Sequence, residues 1–323
     1  MAVSRSKKVC LKDTPYYHCV SRCVRRAFLC GEDSTTGVSY EHRRAWVEKR
    51  LLFLAGIFSI DVCAYAVMSN HLHVVLHVDE DAVTNWSTLE VLNRWHRLHR
   101  GTFFTQQYVK GEVLPEHTLK LVENLADTYR ARLMSISWFM KELNEPIARK
   151  ANSEDNCTGH FWEGRFKSQA LLDEAALIAC MAYVDLNPVR SNLCQTPEDS
   201  DYTSVKQRAG CAQKCYQPKV LYPFVGNSRQ DMPSGLPFSL LDYLELLDMT
   251  GRILKDGKAG SINIELMPIL TRLNISSENW LSIATKFEER TGSVVGQERS
   301  VNHYCQCHHK RRKASPKSCQ LFA

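Results

Sequence analysis

The sequence predicts an α+β sandwich, a mainly antiparallel sheet with helices on one face, followed by a mainly helical C-terminal extension. Three observations support this prediction. Strand and helix patterns alternate as β-α-β-β-α…β-α, two strand-like runs flank a short polar turn, and the amino-acid composition changes near residue 200. Beyond that point Pro, Gly, Ser, Gln and Asn become frequent. We therefore predict a first domain over residues 1–200 and an extension over 201–323 that is partly helical and has a basic tail.

The strand-forming segments are short and rich in β-branched and aromatic residues. Pro15 to Val24 predicts a first strand, and Ser59 to Met68 and His71 to Val78 predict a hairpin, because Ser69 and Asn70 form a turn signal between them. A further strand is predicted within His160–Ala170. A mostly antiparallel sheet follows from these segments.

Helical spacing of apolar residues predicts the remaining elements of the first domain and two helices in the extension. The predicted helices are Tyr40–Phe58, Asn85–Arg100, Leu119–Leu143, Asp173–Asn187, Leu240–Leu254 and Ser277–Arg290. Gly101 is expected to end the second of them, and Pro146 to close the third. The segment Gly101–Glu116 is expected to form an excursion from the main elements, and the polar segment Ala151–Gly159 is expected to form a loop.

Composition narrows the class of protein. The 323 residues are 44% hydrophobic and 24% charged, which is typical of a globular chain and excludes wholesale disorder. A net charge of +6 permits a nucleic-acid partner without showing one. Thirteen cysteines, an odd count, and a charged N-terminus without an apolar signal region indicate a reduced, cytoplasmic protein. The apolar stretch from Leu51 to Met68 could span a membrane by length, but a helix end joined to a strand is favoured.

The first chemical signal is His71-Leu72-His73. On a strand, residues i and i+2 point to the same face, so both imidazoles are expected to converge on one spot. Two convergent imidazoles suit a divalent metal. Taken alone, the pattern is more often a surface histidine pair.

The second signal lies in the helix predicted over Asp173–Asn187. Tyr183 and Asn187 are four residues apart and share a face, which also carries small residues (Ala176, Ala179 and Cys180). The tyrosine hydroxyl is therefore expected to stand over a shallow, uncrowded surface beside an amide oxygen. The alternative is a packing tyrosine at the edge of the core and an asparagine that merely ends the helix.

The two signals fit one mechanism if the helix packs against the hairpin. His71, His73 and Asn187 would then supply three metal ligands and leave positions open for substrate oxygens, as Mg²⁺ or Mn²⁺ requires. The metal would polarise a phosphate, and Tyr183 would attack it as the nucleophile. The resulting phosphotyrosine would conserve the energy of the broken bond for rejoining.

Three motifs together resemble a known family. They are Tyr65-Ala66-Val67-Met68-Ser69-Asn70-His71-Leu72-His73, Gly159-His160-Phe161-Trp162-Glu163-Gly164-Arg165-Phe166-Lys167 and Tyr183-Val184-Asp185-Leu186-Asn187-Pro188-Val189-Arg190. Their order and separation resemble the HUH single-tyrosine transposases, closest to the REP-associated tyrosine transposases, over roughly residues 12–205. In this resemblance His71 and His73 match the HUH pair, Tyr183 the nucleophile and Asn187 the third ligand.

The resemblance implies a ferredoxin-like fold and a metal-dependent transposase that uses Mg²⁺ or Mn²⁺. It implies recognition of single-stranded or hairpin DNA, in particular repeat palindromes near the protein's own gene. Cleavage would leave a 5′-phosphotyrosine and a free 3′-OH. A homodimer is a further expectation, with Tyr183 acting in its own or in the partner subunit. The region 101–150 is longer than in compact members of the family, and the extension has no counterpart in minimal ones.

Basic and aromatic residues in the first domain predict contacts with DNA, because phosphate neutralisation and base stacking need that mixture. The residues assigned to this role are Arg22, Arg25, Arg26, Trp162, Arg165, Lys167 and Arg190. For Trp162, Arg165 and Lys167, support of a strand is the alternative. The tail Lys310–Lys313 is expected to add nonspecific affinity. Cys305, Cys307, His308 and His309 could bind zinc, although their spacing matches no standard motif.

Three other functions remain compatible with the sequence. A catalytically silent DNA-binding regulator on the same fold needs the basic surface but not Tyr183. A metal-dependent hydrolase would use His71 and His73 with an activated water and would survive the loss of Tyr183. A replication nickase or relaxase would share the chemistry but usually carries a fused helicase, for which this chain is too short.

Overall fold

The computed structural model describes residues 9–24, 29–33, 36–256, 268–308 and 316–322. Five strands form one sheet: β1 Tyr16–Arg22, β2 Ile60–Val67, β3 His71–Val78, β4 Lys167–Leu171 and β5 Val294–Val295. Their order across the sheet is β2-β3-β1-β4-β5. Neighbouring strands from β2 to β4 are antiparallel, and β5 pairs with β4 in parallel.

The helices of the first part are α1 His42–Ala55, α2 Glu80–Asn85, α3 Thr88–His96, α4 Phe103–Val109, α5 Glu116–Leu133, α6 Ile136–Glu154, α7 Glu174–Asp185 and α8 Asn187–Arg190. Those that follow are α9 Ser204–Ala212, α10 Leu240–Asp256, α11 Pro268–Leu273, α12 Ser277–Arg290, α13 Glu298–Cys307 and α14 Pro316–Cys319. Two short 3₁₀ turns cover Pro197–Asp199 and Gln320–Phe322. Within the described ranges, no helix combines the length and the apolar character that crossing a membrane requires.

The fold is α+β, as the sequence predicts. Helix α1 connects β1 to β2, and the helical region α2–α6 connects β3 to β4, so the four main strands take the ferredoxin-like order. Both crossover regions pack on the same face of the sheet. There, Leu72, Val74 and Leu76 of β3 join apolar residues of α1 and α6 in one core.

The opposite face of the sheet is also covered, so the prediction of helices on one face holds only for the crossover helices. Alternate residues of β2 and β3, among them Ala64, Ala66 and Val75, pack in a second core against α7 and the extension. Helix α7 is buried on every side from Ala175 to Asp185, because its sequence is apolar all round. The division near residue 200 stays a prediction, and residues on both sides of it share this second core.

The extension also covers the outer edge of β2. The Tyr222 backbone N–H donates to the Val62 carbonyl at 2.9 Å, and the buried Arg208 donates from Nη2 to the Cys63 carbonyl at 2.8 Å. An uncovered strand edge would leave such backbone groups free to pair with other chains. The C-terminal part is therefore bound into the fold through hydrogen bonds to the main chain of β2.

The helix predicted over Leu119–Leu143 was wrong in two respects. The single helix predicted over Leu119–Leu143 is two helices, α5 and α6, because Ser135 caps the second by accepting a hydrogen bond from the Trp138 N–H. Pro146 does not close this helix but lies inside α6, which continues to Glu154. The prediction of a loop over Ala151–Gly159 was therefore wrong for its first residues.

Other boundaries differ as well. Asn85–Arg100 contains the end of α2 and all of α3, since Ser87 starts a new helix by capping the Glu90 N–H. The segment Gly101–Glu116 contains α4. The strand predicted in His160–Ala170 begins only at Lys167. Arg25, Arg26, His309 and the basic tail Lys310–Lys313 lie outside the described residues.

A side chain from α1 makes Pro146 tolerable inside a helix. Proline has no N–H, so the Glu142 carbonyl one turn earlier loses its helical partner. Arg50 Nε donates to that carbonyl at 2.9 Å, and Arg50 Nη2 also lies 3.3 Å from the Glu142 carboxylate. The sequence shows Pro146 but not this long-range compensation.

We expect Arg50→Met to lower the free energy of unfolding by about 1–3 kcal/mol, because it leaves the Glu142 carbonyl unpaired in a buried place. In a Pro146→Ala background the cost should be smaller, since alanine restores a backbone N–H that can reach that carbonyl. Urea unfolding of the four chains measures the difference. Equal costs of Arg50→Met in both backgrounds would contradict this account.

Candidate active site

Strand β3 places His71 and His73 side by side on the face that meets α7. Their ring centroids are 4.7 Å apart and the ring planes are nearly perpendicular, at 80°. This is the arrangement expected for residues i and i+2 of a strand. His73 is fully buried, and His71 lies at the partly exposed beginning of the strand.

Helix α7 brings Tyr183 to these histidines. The Tyr183 ring lies edge-on to His73, with 5.8 Å between the centroids. The helix starts at Asp173, whose side chain accepts a hydrogen bond from the Ala176 N–H. Two motifs that are far apart in the sequence therefore meet at one place.

The surface around Tyr183 is not shallow, contrary to the prediction. Only 8% of Tyr183 is exposed, and the Phe287 ring of α12 lies 5.5 Å from its ring. The small residues of α7 allow close approach of another element, and α12 from the extension packs there. The sequence of the helix alone does not show which element fills this space.

Arg190 lies against the other side of the tyrosine. Its guanidinium carbon is 3.9 Å from the Tyr183 ring centroid, and Nη1 donates to the carbonyls of Ala284 and Thr285 in α12 at 2.9 and 3.3 Å. Burial raises the pKa of Tyr183, while the positive charge of Arg190 acts in the opposite direction. Arg190 is thus the group beside the phenol that favours its ionised form.

Asn187 is buried at the start of α8, one turn after Tyr183, and its Oδ1 accepts a hydrogen bond from the Ser191 hydroxyl at 3.4 Å. No hydrogen bond joins it to His71 or His73 in the part of the chain that the structure describes. The structure therefore brings the two histidines, Tyr183 and Arg190 together. The assignment of Asn187 as a metal ligand stays a prediction.

Sequence reasoning missed three residues near His73, two of which contact its ring directly. His18 Nε2 lies 3.0 Å from His73 Nδ1, His18 Nδ1 lies 2.7 Å from Gln169 Oε1, and Glu288 Oε1 lies 3.5 Å from His73 Nδ1. The alternation of β1 could have placed His18 on one face of the strand. Its pairing with β3, and the arrival of Glu288 from the extension, are not visible in the sequence.

Both histidines of the pair are held neutral. Burial, followed by the charges of Arg22 and Arg190, lowers the pKa of His71 to about 4. The pKa of His73 is lowered even more clearly, mainly by burial and then by its histidine neighbours. Neutral imidazole is the form that binds metals, because it offers a nitrogen lone pair.

The nitrogen atoms fit a divalent metal. His71 Nδ1 lies 2.6 Å from Asn70 Oδ1, which makes it the donor and leaves Nε2 as the lone-pair atom. His73 Nε2 is buried without a hydrogen-bond partner. A buried, unpaired nitrogen is costly unless something binds it. A metal held by His71 and His73 would remove that cost.

A second donor set involves the other nitrogen of His73. Ligand atoms of His18, His73 and Glu288 lie within 4.8 Å of one another. A neutral imidazole has only one lone pair, so His73 cannot bind a metal through both nitrogens. Because Nε2 is the unpaired nitrogen, a metal would bind His73 on the side of the ring that faces away from His18.

The predicted DNA contacts lie at two places. Arg22 is exposed and stands opposite His71 in the pairing of β1 with β3, and Lys167 is exposed at the start of β4. Trp162 and Arg165 line a groove of about 720 Å³ between α6 and the segment 159–166. These placements leave their roles in DNA binding as predictions.

The groove is both aromatic and basic. Trp162 Nε1 donates to the Asn144 carbonyl at 2.9 Å, which fixes its ring, and Lys141 Nζ lies 4.6 Å above the Trp138 ring. The segment 159–166 lies beside the end of β1: the Glu163 N–H donates to the Arg22 carbonyl at 2.9 Å. One end of the groove therefore adjoins Arg22 and, through it, His71.

One of the residues proposed to bind zinc, His308, lies beside two other residues with ligand atoms. His308 Nε2 lies 2.6 Å from Asp13 Oδ2, with Cys10 beside this pair. Cys307 lies 3.7 Å from His303. A zinc site formed by Cys305, Cys307, His308 and His309 stays a prediction, because His309 lies outside the described residues.

Comparisons with known proteins give one likeness. No protein-family model matches the sequence, and no curated protein does. A solved structure of a REP-associated tyrosine transposase bound to a REP hairpin is similar over 68% of this chain and 89% of that chain, at 12% identity and a TM-score of 0.36. That neighbour is a protein of the family that the sequence motifs resemble.

We expect Arg190→Gln to raise the pKa of Tyr183, because the charge that opposes the effect of burial is lost. Arg190→Lys should raise it less. The tyrosinate absorbance, taken as the difference between each chain and the same chain with Tyr183→Phe, measures this pKa. A Tyr183 that titrates identically in the wild type and in Arg190→Gln would show that Arg190 does not act on the phenol.

Proposed function

We propose that the protein is a metal-dependent single-strand DNA transposase, which cleaves and rejoins hairpin-associated DNA through a 5′-phosphotyrosine on Tyr183. The observation that carries this proposal is the meeting of Tyr183 with the His71–His73 pair. A packing tyrosine has no need of a neutral histidine with an unpaired buried nitrogen against its ring, nor of a second neutral histidine beside that one. A tyrosine nucleophile beside a metal site needs that arrangement.

The proposed step is a transesterification. The Tyr183 oxygen attacks a backbone phosphorus atom, the new O–P bond forms, and the bond to the 3′ oxygen breaks. The tyrosine proton passes to water, and the leaving 3′ oxygen takes up a proton. Rejoining reverses the step with a 3′-OH as the attacking group, so no nucleotide energy source is needed.

Charged residues of this chain suit a phosphate substrate. Arg22 and Arg190 both act electrostatically on His71, which places positive charge on the side of the site where a backbone phosphate would bind. Arg190 also favours the ionised phenol. His71, His73 and Asn187 would hold Mg²⁺ or Mn²⁺, which when bound polarises the phosphate and stabilises the charge that develops on it.

This arrangement limits the access of a DNA strand to the Tyr183 oxygen. Because Phe287 of α12 lies against Tyr183 and only 8% of the tyrosine is exposed, the DNA strand must displace side chains of α12 to reach the oxygen. The exposed Arg22 marks the side from which a strand would enter. We therefore propose that DNA enters along the end of β1 and displaces α12 side chains only where the strand reaches Tyr183.

A covalent-adduct assay tests the function. Labelled single strands covering the DNA that flanks the gene, including imperfect palindromes, are incubated with Mn²⁺ or Mg²⁺ and separated on a denaturing gel. We expect a shifted protein–DNA band that requires metal and is lost in Tyr183→Phe. Tyr216→Phe is a matched control, since Tyr216 is exposed and lies in the extension.

The outcomes separate the other functions. Cleavage without an adduct, unchanged in Tyr183→Phe, would identify a hydrolase that uses water and would refute the proposal. Binding of the flanking hairpin without cleavage would indicate the catalytically silent regulator. Loss of the adduct in both tyrosine variants would show a folding defect, which thermal melting of each variant detects.

The groove makes a separate prediction about affinity. Lys141→Gln/Arg165→Gln removes two exposed charges from its lining and should weaken single-strand binding at low salt. The slope of log affinity against log salt should fall by up to about 1.4, if each residue contacts one phosphate.

Lys120→Gln/Lys214→Gln removes the same charge from exposed positions elsewhere and serves as the control. Fluorescence anisotropy over a salt series measures both chains. An equal loss of affinity in the two double variants would show that only net charge matters and that the groove is not the binding surface.

A further inference from the structure

A chain of hydrogen bonds leads from the extension to His73. The Gln169 amide nitrogen donates to the Gly292 carbonyl at 2.7 Å. A carbonyl can only accept, so this bond fixes the orientation of the Gln169 amide. Gln169 Oε1 therefore points at His18 Nδ1, 2.7 Å away, and must accept from it.

The direction of this first bond determines the next one. His18 carries its hydrogen on Nδ1, and as a neutral imidazole it presents a lone pair on Nε2. That atom lies 3.0 Å from His73 Nδ1, and the two ring planes differ by only 10°. His73 Nδ1 must then be the donor. Glu288 Oε1, 3.5 Å from the same nitrogen, also favours a hydrogen there, because a carboxylate only accepts.

The hydrogen on Nδ1 determines the state of the other nitrogen of the His73 ring. With the hydrogen on Nδ1, the lone pair must be on Nε2, the buried atom that has no partner. We infer that Gln169 and His18 are positioning residues, which fix His73 in the tautomer that presents Nε2 to a divalent cation. The inference rests on the proposed function, in which His73 is a metal ligand.

The inference gives the C-terminal extension a role in orienting the His73 ring. Gly292 anchors the chain of hydrogen bonds, and the Phe287 ring packs edge-on against His18 with 6.1 Å between centroids. Both contacts lie within the protein and do not depend on bound DNA. Outer groups that orient a ligating histidine commonly change metal affinity by about 10–100-fold when they are removed.

The first measurement is made on the metal-free full-length chain. Long-range ¹H–¹⁵N correlation of histidine-labelled protein reports which ring nitrogen of each histidine carries the hydrogen. We expect His73 and His18 both to carry it on Nδ1, with His73 assigned by its absence in His73→Gln. A His73 that carries its hydrogen on Nε2 would overturn the inference.

The second measurement is Mn²⁺ affinity, read from the spin-resonance signal of free Mn²⁺ without DNA. His18→Phe removes the acceptor and should weaken binding by about 10–100-fold. His18→Gln should restore most of the affinity, because its amide can accept from His73 and donate to Gln169. His117→Gln, at an exposed position of α5, is the control and should leave the affinity unchanged.

Gln169→Leu gives an independent variant in case His18→Phe fails to fold, as judged by thermal melting. It releases His18 to adopt either tautomer, so it should weaken Mn²⁺ binding and mix the two His73 tautomers. Equal Mn²⁺ affinity in wild type, His18→Phe and Gln169→Leu would overturn the inference.

Failure of the inference differs from failure of the function. If adducts form on Tyr183 while these variants bind Mn²⁺ normally, the positioning role is refuted and the transposase stands. If the tautomer and metal affinities are as expected but no adduct forms, the nucleophile assignment is refuted and the positioning role stands. A wild-type chain that binds no Mn²⁺ would overturn both.

Discussion

The burial of imidazole rings between the sheet and α7 is the constraint on which the site depends. One face of β3 is apolar and packs under the crossover helices, whereas the other face carries His71 and His73 into the second core. Polar groups in such a layer are tolerated only when they are neutral and hydrogen-bonded. The lowered pKa of both rings and the partners at their Nδ1 atoms satisfy part of this requirement, while His73 Nε2 stays buried without a hydrogen-bond partner among the described residues.

Because these rings are buried, the contacts that surround them come partly from the extension. Without α12 and the residues after it, Gln169 would lose the Gly292 carbonyl, Tyr183 would lose the Phe287 ring, and Arg190 would lose the carbonyls that hold it over the phenol. Each of these contacts joins the first 200 residues to the last part of the chain. The extension therefore completes the surroundings of the site, in addition to covering the edge of β2.

The arrangement also has a cost for catalysis. A tyrosine that is ready to attack should be accessible and readily ionised, but burial raises the pKa of Tyr183 and α12 covers its ring. Arg190 offsets part of the first effect through its charge. Under the proposed function, the second effect would make entry of a single strand depend on local displacement of side chains, and it would restrict cleavage to DNA that binds well enough to cause this displacement.

The elements that depend on local patterns follow from the order of the amino acids. β1, the β2–β3 hairpin, α1, α7, α10 and α12 all lie close to their predicted places, because alternation, helical spacing and caps act over a few residues. The pairing of His71 with His73 on one face also follows from the period of a strand. The predicted helix boundaries were wrong at Ser135, where a new cap starts a second helix. They were also wrong at Pro146, where a distant arginine pairs with the carbonyl that proline leaves free.

The residues that surround the site depend on how distant elements pack together. His18 reaches His73 through the register of β1 on β3, Gln169 through the pairing of β4 with β1, and Glu288 through the packing of α12 on α7. These contacts join residues that are far apart in the chain, and no local pattern encodes them. The reason is physical: spacing along a strand or helix fixes the face of a side chain, but its partners are fixed by how the elements pack.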